Sequence, residues 1–171
     1  MLQVSERAHY GLRAMTELAK AYGDGPLTLN KIAEVEHMPA GYLEQLAMPL
    51  RRAGLIEGRR GAHGGYQLAR DPASVTIGSI MRALEGPVAP VECLTEQYVV
   101  GTCEREIGCA SQGFWQRMKL VVDQAMDSVT LADLCAPGMN GAFIPLSQIT
   151  QVSRSPSDDV CAPVGMGEQT I

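Results

Sequence analysis

The sequence predicts a mainly helical fold with one small β-hairpin, arranged as a winged helix-turn-helix followed by a long dimerisation helix. Two observations lead to this prediction. Three short amphipathic helices precede a glycine-rich hairpin and a fourth helix, which is the element order of winged helix-turn-helix domains. Further along, residues 111–128 repeat apolar side chains at a heptad-like spacing, which favours packing against a partner helix.

The first two helices are predicted from the recurrence of apolar residues and from the residues that bound them. The first covers residues 5–22, and the turn-forming residues 23–26, Gly-Asp-Gly-Pro, end it. Thr28 is the predicted N-cap of a short second helix, because its hydroxyl can accept from a backbone N–H in the first turn. Residues 37–39, His-Met-Pro, then form the turn of the helix-turn-helix.

The third helix, the hairpin and the fourth helix complete the predicted DNA-binding domain. The third helix begins near Pro39 and ends at Gly54, and Pro49 inside it is expected to kink or shorten it. Residues 55–68 contain two short strand-like runs around a glycine-rich turn, which predicts a hairpin. The next helix spans 76–86, between a threonine N-cap and a glycine C-cap.

The chain is expected to divide into four parts. Residues 1–86 form the winged helix-turn-helix domain, and 87–110 form a loop with three cysteines. Residues 111–135 contain the dimerisation helix and a short closing helix, and 136–171, rich in Pro, Gly, Ser and Asp, form a disordered tail. The dimerisation helix could instead pack onto its own domain. Its heptad-like apolar positions are Phe114, Met118, Val121 and Ala125.

Charge and hydropathy restrict the possible partners. The formal net charge is −5, but residues 1–85 hold ten basic and nine acidic side chains, a net of +1, whereas residues 86–171 carry a net of −6. A DNA contact must therefore come from a local basic surface in the first half. The sequence has neither an apolar run long enough to span a membrane nor a signal-peptide pattern at its N-terminus, so we expect a cytoplasmic protein.

The candidate DNA-contacting residues lie on the third helix and the hairpin. In helix-turn-helix proteins the first turns of the recognition helix enter the major groove, where glutamine can bind adenine edges and glutamate can accept from the cytosine amino group. Arginines at the end of that helix and in the wing are suited to phosphate, although they could also form an ordinary solvated surface. These candidates are Tyr42, Glu44, Gln45, Arg51, Arg52, Arg59, Arg60 and His63.

The five cysteines point to ligation or redox chemistry rather than to a disulfide framework. Their number is odd, and the N-terminal residues show no signal-peptide pattern, so we expect no secretory leader. Cys135 is expected to be a small buried apolar residue and Cys161 a thiol of the tail. The other three lie in the loop before the dimerisation helix, and they are Cys93, Cys103 and Cys109.

Three linked motifs resemble the Rrf2 family of bacterial regulators. They are the Tyr-Leu-Glu-Gln-Leu of 42–46, the Leu-Arg-Arg-Ala-Gly-Leu of 50–55 and the Arg-Gly-Ala-His-Gly-Gly-Tyr of 60–66. The similarity covers about residues 1–135, with the motifs in family order, and leaves out the tail. It implies a homodimer, crossed over the long helix, that binds a palindromic operator in double-stranded DNA.

The resemblance also implies an iron–sulfur cluster, 2Fe–2S or 4Fe–4S. Cluster-binding members have three cysteines just before the dimer helix, the place occupied here by Cys93, Cys103 and Cys109, and iron–sulfur clusters require thiolates. The spacing departs from the family, since nine residues separate the first two cysteines. Where one member of the family uses a histidine, this chain has Gln112, a poor iron ligand. His9, contributed by the partner subunit, is the candidate fourth ligand, with a ligand-free surface histidine as the alternative.

Other functions stay open at the level of sequence. A structural zinc ion could replace the cluster on the same residues, or the thiols could sense oxidants or a small molecule without any metal. A protein–protein adaptor using the same fold is a further alternative. An enzyme is not expected, because the sequence has neither a phosphate-binding glycine loop followed by Lys-Ser/Thr nor an HExxH metal motif.

Overall fold

A computed structural model describes residues 4–61 and 64–136. The described part is mostly helical with one two-stranded antiparallel sheet, which confirms the predicted fold class. The elements in chain order are α1 (Glu6–Lys20), α2 (Leu29–Glu36), α3 (Ala40–Arg52), β1 (Ile56–Arg59), β2 (Gly65–Leu68), α4 (Ile77–Glu85), α5 (Gln112–Asp127) and α6 (Leu131–Cys135). Short 3₁₀ turns occur at Pro72–Ser74 and Glu92–Leu94.

Side-chain caps fix where the helices begin. Ser5 is the N-cap of α1, and its hydroxyl oxygen accepts a hydrogen bond from the backbone N–H of Ala8 at 3.1 Å. Thr28 and Thr76 act in the same way at α2 and α4, so both predicted N-caps are present. The turn after α2 places His37 in the left-handed region, at φ 52°, which reverses the chain direction before α3.

The proline inside α3 does not end the helix. α3 continues three residues beyond Pro49, to Arg52, and begins at Ala40 with Pro39 as its N-cap, one residue later than predicted. Pro49 has no N–H to donate to the carbonyl of Gln45, so the proline removes one helical hydrogen bond without stopping the helix. Gly54, at φ 65°, terminates it as expected.

One hydrophobic core joins the helices of the first domain to α6. α1 packs closely on α4 at Gly11, where an added Cβ would overlap the side chain of Leu84. Leu131, from the start of α6, is fully buried in the same core. The largest fully buried side chains are Met15, Ile32, Leu43, Leu46, Leu55, Val75, Ile80 and Leu131.

The wing is a hairpin with a third short segment attached to it. β1 pairs with β2 in a register that runs from Ile56 opposite Leu68 to Arg59 opposite Gly65. Leu27, just before α2, exchanges two backbone hydrogen bonds with Tyr66, at 2.9 and 2.7 Å. Gly65 is required by this approach, because a Cβ there would overlap the backbone of Leu27. The wing is thus fixed to the start of α2.

The long helix α5 lies outside the core. None of its residues is buried within one chain, and Phe114 and Leu120 are 61% and 49% exposed. Within the described ranges, no helix is both long and apolar enough to cross a membrane. His63 and all of the predicted tail after Ala136 lie outside the described residues.

Candidate nucleic-acid interface and cysteine loop

The first turns of α3 combine a buried anchoring face with an exposed polar face. Leu43 and Leu46 are buried in the core, which fixes the orientation of the helix. Between them Glu44 and Gln45 are exposed, so two side chains that can form hydrogen bonds with base edges face solvent. Tyr42 is half-buried and has a supporting position rather than a fully exposed one.

A basic cleft separates the end of α3 from the wing. It has a volume of about 650 Å³, and Arg51, Arg59 and Arg60 line it. The guanidinium of Arg59 lies 3.1 Å from the carboxylate of Glu57, which also lines the cleft. Arg52 is exposed but is not part of the lining. The structure therefore brings together three of the four predicted arginines, in a shape and charge suited to phosphate.

A second groove, not predicted from the sequence, lies between the start of α2 and the wing. Its volume is about 420 Å³, and its lining includes Thr28, Asn30, Glu44 and Tyr66. In helix-turn-helix complexes the first helix of the pair crosses the DNA backbone, so this groove extends the candidate interface beyond α3. The Leu27 contact with Tyr66 brings the start of α2 and the wing together, and a pairing between distant segments leaves no local sequence signal.

The helix-turn-helix is held against α1 by Arg13 and Tyr10. The Arg13 guanidinium donates to the carboxylate of Glu36 at 2.6 Å and to the Glu36 backbone carbonyl at 2.7 Å. Tyr10 meets Tyr42 edge to face, with ring centroids 5.8 Å apart. Through these contacts α1 supports both helices of the motif.

The loop that connects α4 to α5 contains three cysteines, and their side chains are accessible. Cys93 and Cys109 are half-buried and Cys103 is exposed, and no disulfide is found among the described cysteines. Apolar residues of the loop are exposed as well, since Ile107 is 100% and Val100 82% accessible. In the part of one chain that the structure describes, no group of three His, Cys, Asp or Glu side chains is close enough to hold a metal ion.

Cys109 lies in the most activated environment of the three. Its Sγ is 3.4 Å from the hydroxyl of Ser111, and this hydrogen bond lowers the pKa of the thiol below its ordinary value. Backbone hydrogen bonds from Ser111 and Gln112 and the positive charge of Arg105 lower the same pKa further. Cys109 also lies just before the N-terminus of α5, where the positive end of a helix favours a thiolate.

His9 and Cys135 occupy different surroundings. His9 is exposed on the first turns of α1, with its ring 5.7 Å from that of Tyr10. Cys135 packs against the core, and its thiol lies 3.8 Å from the carbonyl oxygen of Thr16. Cys135 is half-buried rather than fully buried as the sequence suggested, and its burial raises the pKa of the thiol.

Fold and site together define a winged-helix DNA-binding protein with a cysteine-bearing loop before a long exposed helix. The Rrf2 family model, described as an iron-dependent transcriptional regulator, matches residues 4–137. The chain belongs to the Rrf2 family of transcription regulators. Its relatives are regulators of transcription, not enzymes.

Several relatives resemble the chain over most of their length. The HTH-type transcriptional regulator CymR of Bacillus subtilis is 42% identical over 135 residues, which cover 79% of this chain and 91% of the relative. A solved structure of CymR, the global cysteine regulator of B. subtilis, superposes with a TM-score of 0.66 at 43% identity, over 79% of this chain and 97% of that one. The structure of T. potens IscR has a TM-score of 0.61 at 40% identity, over 78% of this chain and 85% of that one.

Proposed function

We propose that the chain is a cytoplasmic, homodimeric transcription regulator whose affinity for a palindromic operator depends on an iron–sulfur cluster bound by Cys93, Cys103 and Cys109. One observation carries this proposal. Three accessible thiols occupy a single loop that begins where α4 of the DNA-binding domain ends and finishes where α5 begins. Ligand binding or oxidation at these thiols therefore acts on the connection between the DNA-binding domain and α5.

In this proposal the operator contacts come from α3 and the wing. Gln45 and Glu44 contact base edges, since both are exposed on a helix whose other face is anchored in the core. Arg51, Arg59 and Arg60 bind phosphates from the basic cleft, and Arg52 extends this contact at the end of α3. Tyr42 positions the first turn, and His63 belongs to the same wing.

The second subunit is proposed to cover α5. Its exposed apolar side chains, above all Phe114 and Leu120, are more than a solvated helix of a monomer normally presents. A two-fold axis between two copies of α5 would bury these residues in the dimer interface. The same axis would place the two copies of α3 on successive half-sites of a palindrome.

The donor set fits an iron–sulfur cluster in chemistry, although one chain does not hold a preformed site. Three thiols without disulfides, one of them with a lowered pKa, are the ligand type that iron–sulfur clusters require. Because the loop is poorly packed, its cysteines can be drawn together at little structural cost. The exposed His9 of the partner subunit supplies the fourth ligand in this proposal. When bound, the cluster supplies a centre that responds to oxidants, nitric oxide or iron supply.

The test is the colour and iron content of protein purified without oxygen. Wild type should be brown, with visible absorption and with iron and sulfide in matched amounts. Cys93→Ala, Cys103→Ala and Cys109→Ala should each lose the absorption, whereas the matched control Cys135→Ala should keep it. A colourless wild type that stays colourless after anaerobic reconstitution would exclude the cluster. His9→Ala protein with unchanged absorbance and stability would exclude only the proposed fourth ligand.

A second candidate is a regulator that senses thiol state directly, with no metal. Two observations favour it: the described residues of one chain contain no preformed three-ligand group, and the chain is 42% identical to CymR. Here Cys109, the thiol with the lowered pKa, reacts first with an oxidant. Metal-free protein whose operator affinity changes with peroxide, and is restored by a reducing agent, would support this candidate. Retention of the effect in Cys109→Ala would contradict it. Zinc bound stoichiometrically by colourless protein would identify the structural-zinc alternative.

A further inference from the structure

The C-terminal end of α5 is attached to the DNA-binding domain by a polar junction on α4. Arg82, near the end of α4, donates to both carboxylate oxygens of Asp127, at 2.6 and 3.1 Å. The hydroxyl of Thr76, the N-cap of α4, donates to the same carboxylate at 3.1 Å. A second carboxylate, that of Asp123, lies 3.8 Å from Arg82. One acidic end of α5 is therefore bound at two points along α4.

Backbone contacts and a close approach strengthen this junction. The N–H of Ile77 donates to the carbonyl of Val129 at 2.9 Å, and the N–H of Leu131 donates to the carbonyl of Val75 at the same distance. Gly78 lies directly beneath Asp127, and a Cβ at this glycine would overlap the carboxylate. A larger residue there would displace the Asp127 carboxylate from its position against Arg82 and Thr76. The hydrogen bonds of the junction therefore depend on glycine at position 78.

The rest of α5 has no comparable attachment. The helix has no buried residue in one chain, and the cysteine loop at its other end has exposed apolar side chains. Its orientation relative to the DNA-binding domain therefore depends on the few contacts at its C-terminal end. Asp127 is bound at two points, by Arg82 and by Thr76. The two contacts together fix the direction of α5, whereas a single contact would leave the helix free to rotate about it.

We propose that Arg82 and Asp127 are positioning residues that set the angle of α5 and, through it, the spacing of the two recognition helices on the operator. This inference rests on the proposed homodimer across α5. In such a dimer the half-site spacing is a geometric property of the protein, because each α3 must face its own major groove. Adding one base pair moves one half-site by about 3.4 Å and rotates it by about 35°, so a firmly held α5 rejects the altered operator.

The test compares operators that differ only in spacing. An operator is first selected from a random DNA pool with the wild-type chain, and one base pair is then added at or removed from its centre. We expect wild type to bind the altered operators at least about tenfold more weakly, and Arg82→Gln to lose most of that discrimination. Affinity for a single half-site should be unchanged. The charge-reversed double variant R82D/D127R should recover part of the spacing preference.

A matched control and a second variant separate this role from general effects. Lys20→Gln also removes one positive charge from an ion pair, the one with Glu17 within α1, and should keep the wild-type spacing preference. Gly78→Ala alters the junction without removing charge and should loosen spacing as Arg82→Gln does. A dimeric Arg82→Gln protein with unchanged discrimination would overturn the inference and leave the homodimer intact. A monomeric wild type, shown by sedimentation, would overturn both.

Discussion

Replacing Arg51 or Arg60 by glutamine should weaken operator binding by an amount that depends on salt. Both residues line the basic cleft between α3 and the wing, and both are exposed. In the proposed homodimer each substitution removes two phosphate contacts, one in each subunit, so the negative slope of log K against log salt becomes shallower by about 1.8. At about 0.15 M salt this corresponds to about 30-fold weaker binding, or about 2 kcal/mol, and at about 1 M salt the difference should vanish.

The assay is fluorescence anisotropy of a labelled operator across a range of salt concentrations. The triple variant of Arg51, Arg59 and Arg60 should lose on the order of 10⁴-fold in affinity at the same salt concentration, if each of the six arginines of the dimer binds one phosphate independently. Lys20→Gln is the control, because Lys20 pairs with Glu17 at the end of α1 and lies outside the cleft. An unchanged salt slope in the Arg51 and Arg60 variants, or an equal loss in the Lys20 variant, would refute the assignment of the cleft to phosphate.

Three further predictions concern the loop, the wing and the core. In metal-free, reduced protein Ser111→Ala should raise the pKa of Cys109 and slow its alkylation at neutral pH, measured by peptide mass spectrometry; an unchanged rate would contradict the hydrogen-bond account. Gly65→Ala should detach the wing from Leu27 and lower both operator affinity and melting temperature, and a variant with wild-type affinity would show that this contact is dispensable. Leu131→Ala should lower the free energy of unfolding by about 2–5 kcal/mol, measured with urea, because Leu131 is fully buried; a loss below about 1 kcal/mol would mean that α6 is not anchored there.

The elements of the DNA-binding domain could be predicted because their signals are local. Thr28 and Thr76 were recognisable as N-caps from the apolar periods that follow them, and both accept the expected backbone hydrogen bond. Pro49 does not shorten α3, which continues to Arg52 before Gly54 ends it. The missing N–H removes one internal hydrogen bond, while Leu50, the residue after the proline, is held in the core.

The candidate site was predictable only in its residue types. Arginines on α3 and the wing could be assigned to one surface once the fold was known. The long-range ion pairs could not be predicted in this way, since Arg13 and Glu36 are 23 positions apart. The Arg82 contact with Asp127 spans 45 positions, and neither pair follows a helical or strand period. The ligand set of the loop could not be predicted for a different reason. Cys93, Cys103 and Cys109 lie on a loop with little packing, so their positions depend on what binds them.

The position of the cysteine loop explains how a small local change could reach the operator. The loop leaves α4 directly after Glu85, which accepts a hydrogen bond from Ser5 at the start of α1, and it ends at the start of α5. α5 has 16 residues and is therefore about 24 Å long. If its C-terminal end is fixed at Arg82, a tilt of about 10° displaces the opposite end by about 4 Å. A rearrangement of a few ångströms among three thiols is of the same size. The loop and the junction thus lie at opposite ends of one helix, so under the proposed function ordering of the loop would act against the direction that Arg82 and Asp127 set for α5.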